Sequence, residues 1–456
     1  MSFLATLFER KPGQALVRER LVMPVQAFMH TETAGGIVIV VAAIAALIWA
    51  NSPWDEAYFD LWHAELGFDV NLFHVEHHLG DWVNDGLMVI FFFVVGLEIK
   101  RELVHGELAS PRRAALPVIA ALGGMAVPAL IFLAFNAGGE GKDGWAIPVA
   151  TDIAFAVGVL ALLGPRVPFS LKVFLLALAI ADDLGGILII AAFYTDQISV
   201  EALLWAGTVL LLVLFARSWG IRTFNVYVFL GVLFWVAVLQ SGIHATISGV
   251  ILAMLTPAGP SYTGEEFERS APGLFERWRE AIRQRDHDQQ ENILSALEDV
   301  TRNTESPLDR LERQLHPWVS YIIVPIFALA NAGVAVTGDS VNDAAGSAVT
   351  WGIALGLFVG KPVGILTATW LAERSGIASR PAGVTWHQVL GVGLLGGVGF
   401  TVALFITTLS FDSEVLTADA KMGILLGSIT AAIVGYTYLR LLAGKAESEP
   451  AGGEGG

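Results

Sequence analysis

The chain has 456 residues, 54% of them apolar and only 15% charged, with no cysteine and a formal net charge of −16. Soluble domains average about 25% charged residues, so a soluble enzyme or binding module is excluded as the body of this protein. The lack of cysteine excludes a disulfide, a thiolate metal site and a cysteine nucleophile. Apolar runs of about 20 residues recur along nearly the whole length, each enough to span roughly 30 Å of hydrocarbon. The runs are continuous rather than alternating, which excludes a β-barrel. Helices remain as the way to satisfy the backbone in lipid. The expectation is an all-α polytopic membrane protein, a single transmembrane domain over 1–456.

In chain order, the first 30 or so residues are mixed and include Arg10, Lys11, Arg18 and Arg20, without the pattern of a cleaved signal peptide. Twelve spans are predicted, near 33–50, 82–99, 115–135, 145–163, 172–194, 199–216, 224–240, 243–256, 318–337, 347–372, 386–409 and 420–441. The seventh and eighth are short, with almost no loop at Ser241-Gly242. Between Asn51 and Ile99 there is no Lys or Arg, yet Asp55, Glu56, Asp60, Glu65, Asp69, Glu76 and Asp81 all occur. This is either a solvated acidic face or a region that concentrates cations near an entrance. With the N-terminus inside, 24 of the 27 basic residues fall in inside segments, Lys142 and Lys421 fall outside, and Lys361 lies in a span. That segregation calls for an even number of spans with both ends in the cytoplasm.

The segment 257–315 is a polar cytoplasmic insert with eight Arg and no Lys. Within it GLFERWREAIRQ and ENILSALEDVTR place apolar residues at helical spacing, so two amphipathic helices joined by RDHDQQ are predicted, lying on the membrane surface or on the protein. The end, 442–456, has the composition of a disordered tail.

Charges inside spans mark function. Asp182 and Asp183 interrupt an apolar run from Val173 to Thr195, Asp152 lies in AIPVATDIAFAVG, and Lys361 lies in LGLFVGKPVGIL. Successive helix residues differ by about 100°, so one aspartate can meet a protein partner while its neighbour faces a water-filled cavity. Two interacting carboxylates can hold protons or a metal cation, each displacing the other. Lys361 is the natural countercharge, as a structural or a functional ion pair. The fourth span is interrupted by Pro148 and Thr151-Asp152, and the eleventh by Gly391, Gly393, Gly396, Gly397 and Gly399. Such interruptions in two separated spans point to paired broken helices at a transport site. An aspartate suits half-helix N-termini and a lysine C-termini, so Asp152 and Lys361 balance the breaks on this reading. Thr151 offers hard oxygen ligands to a small cation. Glu98, Lys100, Arg101 and Glu102 cluster at the inner end of the second span, with Asp85 deeper, either as interface anchors or as a titrating funnel. His244 titrates near neutral pH. HVEHH (74–78) fits no metal-ligand spacing, and GLFVGKPVG is not a phosphate loop. No cofactor and no nucleic-acid partner are expected.

At these residues the chain resembles the NhaA family of bacterial Na+/H+ antiporters. The strings that match are WVNDGLMVIFFFVVGLEIKREL (82–103), VATDIAFAVGVLALLGPRVP (149–168), LALAIADDLGGILIIAAFYT (176–195), SGIHATISG (241–249), HPWVSYIIVPIFALANAGV (316–334), GKPVGI (360–365) and GGVGFTVALFI (396–406). The family is itself a type case of inverted repeats, so the broken-helix reading is not independent of it. The resemblance implies twelve helices with inverted three-helix repeats, spans four and eleven crossing as broken helices. It implies that Asp182 and Asp183 bind Na+ or Li+ in exchange for protons, with Asp182 paired to Lys361 and Asp152 at the helix break. Glu98, Arg101, Glu102 and Glu312 would match a cytoplasmic pH-responsive region, and His244 its histidine. It further implies electrogenic exchange activated at alkaline pH, a role in sodium and pH homeostasis, the bacterial inner membrane, and a homodimer joined through a β-hairpin, which DLWHAELGFDV (60–70) would supply. A cation channel and a membrane sensor reporting through the insert are the rival classes.

Overall fold

The structure is a computed structural model that describes residues 23–70, 73–195, 198–219, 221, 224–260 and 262–448. Helices α1 (Met23–Ala50) and α2 (Asp55–His63) turn sharply on one another, at 113°. Two antiparallel strands follow, β1 (Glu65–Val70) and β2 (Phe73–His78), in register from Glu65↔His78 to Val70↔Phe73. DLWHAELGFDV is thus the end of α2 and the first strand of a hairpin, and HVEHH lies in the second strand. Among the described residues no group of three or more His, Cys, Asp or Glu is placed to hold a metal.

A π-helical turn, Trp82–Leu87, leads into α3 (Met88–Val104), which is followed by α4 (Pro111–Asn136). A 3-10 helix (Glu140–Val149) and α5 (Ile153–Leu162) form the fourth predicted span. Then come α6 (Phe169–Phe193), α7 (Val200–Ser218), α8 (Phe224–Leu239) and α9 (Thr246–Leu255). After the insert, a π-helical turn (Val319–Ile323) continues into α13 (Val324–Asn331), and α14 (Gly338–Gly346) is a short polar helix. A continuous helix over Ala348–Arg374 comprises α15 (Ala348–Leu355), a π turn at Gly356–Gly360 and α16 (Lys361–Arg374). The chain closes with α17 (Trp386–Gly396), α18 (Phe400–Ser410) and α19 (Glu414–Ser448). Of the tail expected to be disordered, 442–456, residues 442–448 instead continue α19 as helix, and 449–456 lie outside the described residues, as do the basic residues 10–20.

Among the described residues, length and apolarity single out five continuous helices, or up to eight spans when each of three bent pairs counts as one. The predicted spans seven and eight are the short apolar helices at 225–239 and 246–255. Span nine, predicted to 337, stops being helical at Asn331. Its end is held from several sides: Tyr58 Oη donates to Leu329 O (2.8 Å), Asn331 Nδ2 to Asn84 Oδ1 (2.8 Å) and Asn51 Nδ2 to Val334 O (2.8 Å).

The insert builds three helices rather than two. Thr263 caps α10 (Gly264–Gln284) in a reciprocal box with Glu266, Asp286 caps α11 (His287–Thr304), and Ser306 caps α12 (Pro307–Trp318). Arg285, in the left-handed region at φ 54°, ends α10 and lets the chain reverse. Of the alternatives left open, α10 and α11 lie on each other. Leu274, Ala281 and Ile293 form their buried seam, with Trp278, Leu297 and Val300 packed against it.

Glycines bring two pairs of membrane helices into backbone contact. A Cβ on Gly96 of α3 would lie 2.7 Å from Ala253 Cβ of α9. One on Gly124 of α4 would lie 2.9 Å from Ile365 Cγ1 of α16, and Gly123 meets Gly364 backbone to backbone.

Candidate functional site: two broken helices and a buried ion pair

Pro148 has no amide hydrogen to donate, and after it the chain runs extended through Ala150–Asp152 before α5 begins; the two halves differ in direction by 43°. In the eleventh span Gly397, Val398 and Gly399 separate α17 from α18, which differ by 47°. Both predicted breaks are present, and they meet. The Asp152 N–H donates to Val398 O (2.7 Å), and the Thr151 hydroxyl donates to Gly396 O (2.7 Å). A Cβ on Gly399 would come within 3.0 Å of Ala150 O, so the close approach requires glycine there.

Breaking a helix inside a membrane leaves N–H groups without partners, each expensive in hydrocarbon. Asp152, 2% exposed, serves both half-helices. One carboxylate oxygen accepts from Phe155 N–H (3.1 Å) on its own α5. The other accepts from Thr401 N–H (3.1 Å) on α18 and from the Thr401 hydroxyl. Ser428 of α19 completes the set, its Oγ accepting from Gly399 N–H (3.2 Å) and Phe400 N–H (3.3 Å).

Asp182 and Lys361 are almost fully enclosed, at 3% and 0% exposure, and join across 2.6 Å between Oδ2 and Nζ. Among the described residues Lys361 makes this hydrogen bond, to a carboxylate, and no other. The second oxygen, Asp182 Oδ1, is buried without a hydrogen-bond partner among the described residues. Asp183 points elsewhere around α6 and is partly exposed. It follows Asp182 directly in the chain, so a second carboxyl stands beside the Asp182–Lys361 pair. An uncommitted carboxylate oxygen beside a second carboxyl, in an acid-rich setting, presents hard oxygen donors to a small cation. Thr151 and Asp152 stand at the adjoining crossing.

The predicted cytoplasmic residues divide. Arg101 pairs with Glu312 of α12, and Glu98, 7% exposed, lies with its Oε1 3.7 Å from His316 Nε2. Burial pushes the Glu312 carboxyl above its usual range, against the opposing pull of Arg101. Glu102 instead accepts the Glu107 N–H (2.9 Å). Lys100 donates to the terminal carbonyls Met254 O (2.6 Å) and Thr256 O at the end of α9. His244 is not in this cluster. It precedes α9, nine residues before the Ala253 that packs on Gly96, or roughly 13 Å of helix rise away.

Thr401, Ser428 and His316 were not singled out from the sequence. Thr401 had a signal, a hydroxyl directly after the glycine cluster in GGVGFTVALFI. Ser428, in an ordinary apolar helix, had none.

A fold of membrane helices whose two broken members cap one another beside a buried ion pair defines a secondary transporter. The profile of the family described as Na+/H+ antiporter 1 matches residues 26–439. The chain is 47% identical over 424 residues to the Na(+)/H(+) antiporter NhaA of Wolinella succinogenes, covering 91% of this chain and 92% of that protein. It is 46% identical over 444 residues to Na(+)/H(+) antiporter NhaA 2 of Sorangium cellulosum (96% and 94%), and 45% identical over 451 residues to the antiporter NhaA of Syntrophobacter fumaroxidans (97% and 96%). This chain belongs to the NhaA family of Na+/H+ antiporters.

Proposed function

We propose that this protein expels Na+, or Li+, in exchange for protons, at a site formed by Asp182 and Asp183. The observation that carries this reading is the buried Asp182–Lys361 pair with its one uncommitted carboxylate oxygen. A cation entering beside Asp183 competes with Lys361 for Asp182. An ammonium left without its anion in a low-dielectric setting tends to lose its proton. Cation entry therefore releases protons, and proton return releases the cation. Exchange of more protons than sodium ions follows when both carboxyls and the lysine take part, which makes the cycle electrogenic and lets the proton gradient drive it. Thr151 and Asp152 fix the crossing next to the site. Alkaline activation belongs on this reading to Glu98, Arg101, Glu102 and Glu312, with His244 acting separately at the far end of α9. The protein serves sodium and pH homeostasis in the bacterial inner membrane with both termini cytoplasmic, and the β1–β2 hairpin joins two copies.

The test is Na+-induced collapse of an imposed pH gradient in proteoliposomes, wild type beside Asp183→Asn. Sodium-dependent collapse that the variant lacks supports the assignment. Equal collapse in both removes Asp183 from the site, and no response to Na+, Li+ or K+ across pH 6–9 removes the antiport reading.

A further inference from the structure

We propose that Ser428 is a positioning residue for cation exchange, holding the broken eleventh span so that Asp152 stays committed to the crossing. The inference rests on the antiport reading. The first three amides of α18 are those of Gly399, Phe400 and Thr401, and they are divided between two acceptors. Ser428 Oγ takes the first two and Asp152 takes the third. The other Asp152 oxygen is already engaged by Phe155 N–H. The positive end of this half-helix is therefore neutralised from two sides, by a carboxylate in the fourth span and a hydroxyl in the last.

Without the Ser428 oxygen, two buried amides lose their acceptor, and Asp152 is the acceptor that remains at this end of α18. Drawing Asp152 toward Gly399 and Phe400 loosens its bonds to Thr401 and Phe155. It also leaves more uncompensated positive potential at the crossing. Asp152 stands at the crossing beside the Asp182–Lys361 pair, where Gly393 of α17 packs on Pro362, so both changes weaken the attraction for an incoming cation. Ser428 touches no transported ion in this account and acts through Asp152. Its position has a parallel: Asp183 lies in the span after the first break, and Ser428 in the span after the second.

The experiment measures Na+-dependent exchange in proteoliposomes for wild type and for Ser428→Ala, Ser428→Thr and Ser428→Cys, with thermal stability in detergent followed alongside. Thr430→Ala is the control, because among the described residues that half-buried hydroxyl on the same helix bonds only to Leu426 O (2.6 Å), within its own helix. Ser428→Ala is expected to raise the KM for Na+ about three- to tenfold with the maximal rate within about twofold. Ser428→Thr, which keeps the acceptor, is expected to restore the wild-type KM, and Thr430→Ala to leave it unchanged. If Ser428→Ala does not fold, Ser428→Cys, near in size and weaker as an acceptor, is expected to show the raised KM. An unchanged KM in Ser428→Ala, or in Ser428→Cys where that variant replaces it, overturns the proposal. So does a loss of maximal rate and stability without a KM change, or a Ser428→Thr variant no better than alanine. Absence of exchange in the wild type instead defeats the antiport reading itself.

Discussion

The crossing of the broken helices and the α10–α11 hairpin are built from the same kinds of charged residue, and only one of them depends on its charges. In the hairpin Arg279 pairs with Glu276 (2.8 Å) and Arg283 with Glu280 (3.0 Å), all well exposed to solvent. Water would solvate each partner nearly as well alone, so such pairs are worth at most about 1 kcal/mol. At the crossing every charge is enclosed. Lys361 and Asp182 have each other, and Asp152 has three donors. There the cost of removing one partner is set by the group left behind rather than by the bond lost.

The sharpest way to break this comparison is Lys361→Ala, which leaves Asp182 buried without a countercharge. A loss of about 3–5 kcal/mol is expected, seen as a large fall in thermal midpoint in detergent. Adding Asp182→Asn should recover much of the midpoint and none of the exchange. A single variant as stable as wild type would show that the pair is better solvated than its burial implies. Next in size is Asp152→Ala, which strips the acceptors from Phe155 and Thr401. A cost of about 1–3 kcal/mol and exchange reduced at least about tenfold are expected in the same assays.

Glu312→Gln tests the intermediate case, where α12 meets the end of α3. The Glu312 carboxyl is raised by burial, so the folded protein keeps its proton at pH values where the unfolded chain has released it. Its contribution to stability is complete below the unfolded value and is lost as pH rises through the folded value. Midpoints followed from acid to alkaline pH should therefore fall less steeply in Glu312→Gln than in wild type. The charged groups acting on it are Arg101, His316, Asp309 and Glu102, and a steeper slope in the variant would assign the pH dependence to one of them. Smallest is Arg279→Ala in the hairpin, expected to shift stability by less than about 0.5 kcal/mol and to leave the Na+ KM unchanged. A large effect on transport would bring back the sensor reading for the insert.

Much of this was legible in the sequence because lipid makes the rules strict. A charge or a run of Gly and Pro inside an apolar stretch stands out, and Asp182, Asp183, Asp152, Lys361 and both breaks were found that way. Span ends were less legible. Helix α13 stops at Asn331, where Tyr58 of α2 donates to Leu329 O, Asn84 of the Trp82–Leu87 turn accepts from the Asn331 side chain and Asn51, just past α1, donates to Val334 O, and such long-range partners leave no local pattern. Ser428 illustrates the same limit. Serine in a membrane helix ordinarily bonds to its own backbone, and only the fold reveals that this one serves another span. The pairing of Lys361 with Asp182 was legible because an ammonium enclosed in lipid needs a countercharge. His244 was grouped with the cytoplasmic acids by resemblance, and the packing of α9 on α3 separates them.

The glycine contacts have a consequence for how the protein can move. Where Gly123 and Gly364 bring α4 and α16 backbone to backbone, and where Gly96 seats α9 on α3 against Ala253, little more than an alanine methyl stands between the helices to rearrange. Sliding along either seam would drive main chain into main chain. Each pair is therefore a welded plank, and the gate that opens alternately to the two sides of the membrane has to swing at some other joint, between planks and not within one.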